Sequence, residues 1–307
     1  MGTLQRLDAR ALVCIAVALL TWSSSYAAIA YALAAFTPGE VAFARLAVSS
    51  LCFAGLMAAT RTPLPPRRDW PALAVLGLLG QGLYQLCLNW AETRIASGTA
   101  AILIALVPAA TVVTAALWLR ERLSARAWLG LGVALAGTVL VVLASGRQVA
   151  LDPKALLVLV CVVVTAVYFV GQKPLFARSS ALGVTAVTFY AGTLGCLPFA
   201  GGLPHALVDA SWGQLSALLW LGVAPGFAGY WAWNIAIHRA SPARVASFIY
   251  LSPPMAVVIG WLWLGERPGL GVLVGGAVVL GGVALANTRS RTARGIATAM
   301  PAHDAQT

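Results

Sequence analysis

Charge is what this chain has least of. Only 9% of its 307 residues are charged, against about a quarter in an ordinary soluble domain. There are nine acidic residues and three histidines. No cluster of His, Asp and Glu offers the convergent groups that catalysis or metal binding requires, which argues against an enzyme, a metal site or a cofactor. The five cysteines (Cys14, Cys52, Cys87, Cys161, Cys196) lie at wide spacing inside apolar stretches. They read as small core residues, not as disulfides or metal ligands. Long polar segments are also missing, except after Ala286, so no soluble domain fits. Residues 288–307 read as a disordered cytoplasmic tail.

What is abundant is apolar sequence. The chain is 60% hydrophobic with a mean hydropathy of +0.87. Apolar runs of about 20 residues, the length that crosses a hydrocarbon core of about 30 Å, recur from end to end. Ten spans are expected near 11–34, 39–60, 70–91, 97–118, 126–144, 154–176, 183–202, 213–237, 243–264 and 269–287. The fold class is therefore an all-α integral membrane protein whose partner is the lipid bilayer. The first span is too long for the apolar region of a cleaved signal peptide.

A net charge of +11 invites a nucleic-acid reading, but its distribution opposes one. Fifteen of the twenty Arg and Lys residues fall on the side that holds the N-terminus, four fall on the other, and Arg45 lies within a span. The positive-inside rule then places both termini in the cytoplasm. A bacterial plasma membrane is the expected location.

The second half of the chain echoes the first. At an offset of 145 residues Gly77 matches Gly222, Asn89 matches Asn234, Arg94 matches Arg239 and Pro108 matches Pro253. Glu121-Arg122 matches Glu266-Arg267, and Gly137 matches Gly282. Chance apolar similarity would not keep Asn, Arg, Pro and Glu-Arg in step. The organisation expected is a five-helix repeat over 1–146 and a second over 147–287. Five is odd, so the second copy enters the membrane the other way up. Inverted repeats build a site near the midplane that opens to either side in turn.

The pattern resembles the drug/metabolite transporter superfamily, specifically the EamA-type ten-helix carriers. The likeness rests on Thr21-Trp22-Ser23-Ser24-Ser25-Tyr26, on Pro38 with Glu40 and Arg45, and on the Pro108 and Pro253 spans ending in Leu-Arg-Glu-Arg and Leu-Gly-Glu-Arg. Within that family the chain looks most like exporters of amino acids, aromatic ones in particular. The resemblance implies an alternating-access exporter or facilitator of small metabolites. The alternatives are a nucleotide-sugar, sugar-phosphate or drug transporter of the same fold, or a channel.

The candidate site is read from polar and aromatic residues inside spans, which usually face a bundle interior. Gln81, Gln85 and Asn89 share one face of span 3 beside Tyr84, and Gly226, Tyr230 and Asn234 occupy the matching positions of span 8 with Trp233 nearby. Trp22, Ser23 and Tyr26 in span 1, Tyr168 and Gln172 in span 6, and Tyr250 in span 9 complete the expected wall. The competing reading of the amides and serines is interhelical glue. Arg45 either meets a substrate carboxylate, snorkels outward, or pairs with Glu40 or Glu92. Pro108, Pro225, Gly226, Pro253 and Pro254 are candidate hinges or kinks. The glycines of spans 5 and 10 suit close packing against other spans or the seam of a homo-oligomer.

All nine acidic residues fall in loops, tails or span ends, so no interior carboxylate is expected. That favours uncoupled transport or exchange of a neutral or zwitterionic solute. The repeat register also places Asn89 and Asn234 near opposite gates. Asn89→Ala and Asn234→Ala should each alter transport kinetics in proteoliposomes; unchanged kinetics in both would remove the gate reading.

Overall fold

The computed structural model describes residues 9–119, 125–144, 153–239 and 247–287. Among them the chain is helical, without strands. Six helices are long and apolar enough to cross a membrane, and four shorter apolar helices accompany them. The architecture is that of a ten-helix membrane protein built from two inverted five-helix repeats.

Span 1 is α1 (Ala9–Ala32) and span 2 is α2 (Pro38–Thr60). The start of α2 is set locally: the Thr37 side chain accepts the Glu40 N–H, and the Glu40 carboxylate accepts the Thr37 N–H. This reciprocal cap satisfies donors that lack helical partners. Span 3 is α3 (Trp70–Gly77), a π-helical stretch (Leu78–Leu83) and α4 (Tyr84–Glu92). Span 4 is broken into α5 (Ser97–Ile104) and α6 (Val107–Leu119), and span 5 is α7 (Ala125–Ala144).

The second repeat begins with α8 (Pro153–Phe176) and α9 (Ala181–Cys196). A short helix α10 (Leu203–Asp209) leads into span 8, made of α11 (Trp212–Leu221), a π-helical stretch (Gly222–Ala228) and α12 (Gly229–Arg239). Span 9 is a 3₁₀ turn (Ser247–Leu251) followed by α13 (Ser252–Leu264), and span 10 is α14 (Leu270–Asn287).

The irregularities obey the repeat. The two π-helical stretches fall at equivalent positions of spans 3 and 8. Pro108 and Pro253 both stand in the first turn of the second piece of their spans. A proline there removes no helical hydrogen bond. The prolines thus mark where spans 4 and 9 restart rather than bends within continuous helices.

Packing interleaves the repeats. Span 1 lies against spans 8 and 9, span 6 against spans 3 and 4, span 2 against spans 7 and 8, and span 3 against span 7. Glycines permit the closest approaches. Gly77 meets Thr188 and Ala191 of α9, while its partner Gly222 meets Val48 and the Arg45 backbone of α2. At one end Arg178 grips Asp69 through Nη2–Oδ1 at 2.6 Å and Nε–Oδ2 at 3.3 Å, joining the two repeats.

Spans 5 and 10 pack chiefly on each other, α7 against α14, and touch span 4 beside them. Of the two destinations open to their glycines, the structure shows packing against each other. A Cβ on Gly137 would lie 2.6 Å from the Val279 nitrogen, and one on Gly282 would collide with the Ala134 backbone. A Cβ on the adjacent Gly281 would meet nothing within 4 Å. Gly282→Ala should therefore destabilise by about 1–3 kcal/mol through overpacking. Gly281→Ala should be neutral or stabilise by up to about 1 kcal/mol through helix propensity. Thermal melts of the two purified variants in detergent check the contrast.

Candidate functional site

Part of the sequence-selected set (Gln81, Tyr168, Tyr230, Trp22 and Trp233) meets at the interface between the repeats. Gln81, fully buried, sits in the π-helical stretch of span 3. It faces the hydroxyls of Tyr168 from span 6 and Tyr230 from span 8, yet neither amide atom closes a hydrogen bond. Two glycines bring it there. Gly192 of α9 lies against the Gln81 stem, and Gly80 lies against the Tyr168 ring. Tyr168 itself shares a 3.1 Å hydrogen bond with Thr188, and Gln172 turns back to donate to the Tyr168 carbonyl at 3.2 Å. Gln172 is thereby committed to its own helix.

An aromatic wall continues from Tyr230. Trp22 of span 1 lies 5.5 Å from Tyr230 edge-on and 5.1 Å from Trp233. Its indole N–H donates to the Pro225 carbonyl at 3.1 Å, so the polar edge of a mid-span Trp is answered by the irregular backbone of span 8. Beyond Tyr230, Phe189 stands at 5.2 Å, Phe53 at 4.9 Å from Phe189, and Phe227 at 5.1 Å from Phe53. These three phenylalanines were not among the sequence candidates, because a lone Phe in an apolar span carries no local signal.

The other end of the cluster is charged. Arg45, 4% exposed, lies among Tyr84, Tyr230, Glu92 and Tyr26, and its Nε and Nη1 have no partner. Glu92 is the last residue of α4. It is 7% exposed, and both its oxygens lack a hydrogen-bond partner. The expectation of an interior without carboxylates is corrected here. Glu92 is a span end in sequence, but it is covered by side chains from other spans, with Arg45, Tyr26 and Cys161 close enough to feel its charge. With Glu92 buried, uncoupled transport no longer follows from the placement of the acidic residues. Arg45 does not pair with Glu40 either, whose Oε2 accepts from Thr37.

The remaining candidates are distributed. Ser23 bonds across to Ser252, at 3.2 Å to its carbonyl and 3.0 Å to its hydroxyl, tying spans 1 and 9. Asn89 donates to the Pro38 carbonyl at 2.9 Å and leaves its own oxygen unpartnered. Gln85 also has an unpartnered oxygen. Gly226 lets the Ser49 hydroxyl approach the span 8 backbone, where it donates to the Gly222 carbonyl at 2.8 Å. Pro225 and Pro253 are buried, whereas Pro254 is exposed. The side chains of Asn234, Tyr250 and Pro108 lie outside the described residues. A separate recess of about 400 Å³ borders Ala9, Arg10, Val13, Cys14 and Ile235, away from this cluster.

Glu266 ties the end of span 9 to the start of span 4. It follows Gly265, whose φ of +72 closes α13, and reaches α5 of the other repeat. There it accepts from the Ser97 N–H at 3.1 Å, the Ser97 hydroxyl at 2.7 Å and the Gly98 N–H at 3.3 Å. A carboxylate at a helix N-terminus is favourably placed.

An unpartnered buried amide is costly, and replacing it by an apolar group of similar shape is often neutral. Gln81→Leu should therefore leave thermal stability within about 1 kcal/mol or raise it, while transport falls sharply. A melt combined with a proteoliposome flux assay on the same preparation measures both.

Comparison with known proteins agrees with the architecture. The model of the EamA-like transporter family matches twice, over residues 9–143 and 153–288. A probable terminal-alkyne amino-acid exporter of Streptantibioticus cattleyicolor is 34% identical over 281 residues, covering 92% of this chain and 94% of that protein. The uncharacterized transporter YdfC of Bacillus subtilis is 29% identical over 262 residues, covering 85% and 86%. A solved crystal structure shares the fold with a TM-score of 0.61 at 22% identity, covering 93% of this chain and 98% of that one. With two family matches in tandem and an interleaved helical bundle to carry them, this chain belongs to the EamA-like transporter family and is an integral membrane transporter of small molecules.

Proposed function

We propose that the chain is an amino-acid exporter or facilitator that works by alternating access and prefers aromatic or apolar side chains. The observation that carries this is the polarity of the cluster. A buried guanidinium with free donors stands beside Tyr230, and from Tyr230 an aromatic wall runs through Trp22 and Phe189. Arg45 is suited to a carboxylate, and the wall to an apolar body. The relative named as an amino-acid exporter supports the substrate class. A sugar phosphate would call for several cations, and among the described residues Arg45 is the cation this cluster holds.

The two repeats, 1–146 and 147–287, supply the motion by exchanging conformations. The π-helical stretches of spans 3 and 8 and the breaks in spans 4 and 9 are the places where the helices yield, because their backbone hydrogen bonding is already irregular. Both termini face the cytoplasm of a bacterial plasma membrane, the substrate is a small molecule, and nucleic acid has no part.

Purified protein in proteoliposomes should show saturable counterflow with a subset of the twenty amino acids, strongest for phenylalanine, tryptophan or leucine. Trp22→Ala should reduce phenylalanine counterflow roughly tenfold more than alanine counterflow, since a large side chain loses more contact than a small one. Linear, non-saturating flux would indicate a channel. Saturable flux of nucleotide sugars without amino-acid flux would replace the substrate class.

A further inference from the structure

Arg45 and Glu92 hold opposite charges, each more than nine-tenths buried, and within Coulombic reach of each other. They do not pair. Both Glu92 oxygens and two Arg45 nitrogens are without hydrogen-bond partners. In hydrocarbon, opposite charges gain by closing to contact, and leaving both open is expensive. The groups facing Glu92 come from every side: Arg45 from α2, Tyr26 from α1, Cys161 from α8, and Glu266 beyond α13. Glu266 repels it but is itself occupied with the α5 cap. None of these groups neutralises Glu92 by direct contact.

The charges also break the repeat. At the offset of 144 that aligns spans 2 and 7, Arg45 corresponds to Phe189. At the offset of 145, Glu92 corresponds to Ile237. The fold therefore does not need charge at either position, since the inverted copy builds the same helices with apolar side chains.

Building on the amino-acid reading above, we infer that Arg45 and Glu92 are the two halves of a head-group receptor for a zwitterionic α-amino acid. The guanidinium takes the carboxylate and the Glu92 carboxylate takes the ammonium. The two charges of an α-amino acid are separated by a single carbon, so one molecule bridges an unclosed ion pair and satisfies both sides. Tyr26 and Tyr84 stand beside the receptor. Tyr230 connects it to the aromatic wall, which receives the side chain.

The test uses phenylalanine counterflow in proteoliposomes with three competitors: phenylalanine, its methyl ester and 3-phenylpropionate. The ester lacks the carboxylate and 3-phenylpropionate lacks the ammonium. In the unmodified chain both analogues should compete about tenfold or more weakly than phenylalanine, the loss expected for a charge-assisted hydrogen bond. Glu92→Gln should weaken phenylalanine about tenfold while leaving 3-phenylpropionate unchanged. Arg45→Gln should weaken phenylalanine while leaving the ester unchanged. If 3-phenylpropionate competes as well as phenylalanine in the unmodified chain, the assignment is overturned without recourse to any variant. Equal weakening of both ligands by Glu92→Gln overturns it too, leaving Glu92 a structural or proton-carrying role. Absence of counterflow by every amino acid overturns the proposed function itself, and the receptor with it.

Discussion

In a bilayer interior no water is available to a backbone N–H or C=O, so each departure from regular helix must be answered from within the protein. This bundle departs from regular helix in spans 3, 4, 8 and 9, and a side chain stands at most of those points. Trp22 donates to the Pro225 carbonyl and Ser49 to that of Gly222. Ser23 reaches Ser252, and Glu266 covers the open start of α5. All four of these bonds run from one repeat to the other. The irregular backbone of each copy is held by the other copy, so the two halves cannot separate without exposing it. Under the proposed alternating access they shift against each other as these partners exchange.

Glycine sets how closely the halves approach. Gly77 and Gly222 seat spans 3 and 8 on spans 7 and 2 by the same geometry. Gly80 and Gly192 then bring the Tyr168 ring and the Gln81 amide into one place. A polar group carried so deep without a hydrogen bond is a cost the fold does not recover. Gln81, Arg45 and Glu92 all carry that cost; Gln81 and Arg45 adjoin Tyr230, and Glu92 lies near Arg45. Under the proposed function these groups are kept for a ligand rather than for stability.

Charge and symmetry divide the labour. Among the positions at which the copies agree are glycines, prolines and capping residues, and these account for the architecture. The copies disagree at Arg45 against Phe189, Glu92 against Ile237 and Gln81 against Gly226, where only the first copy carries a charged or amide side chain. An inverted pair of identical halves would present an identical lining from both faces. In the proposed function, departures from identity give the site a polar end and an aromatic end.

Much of this was legible in the chain itself. Span number follows from apolar length, inversion from an odd count of spans per copy, and close packing from glycines that recur in register. These are properties of period and composition, which survive without knowledge of contacts. The aromatic and amide residues of spans 1, 3, 6 and 8 were legible for the same reason, since a polar group in hydrocarbon is conspicuous. Burial at a span end was not. Glu92 closes its helix in sequence, and only the covering side chains of α1, α2 and α8 show that it is interior. Nor could sequence tell that Ser23 is occupied with Ser252 while Gln81 is free. Hydrogen-bond partners hundreds of residues apart in the chain are chosen by how helices of opposite repeats pack, and that choice exists only in the folded bundle.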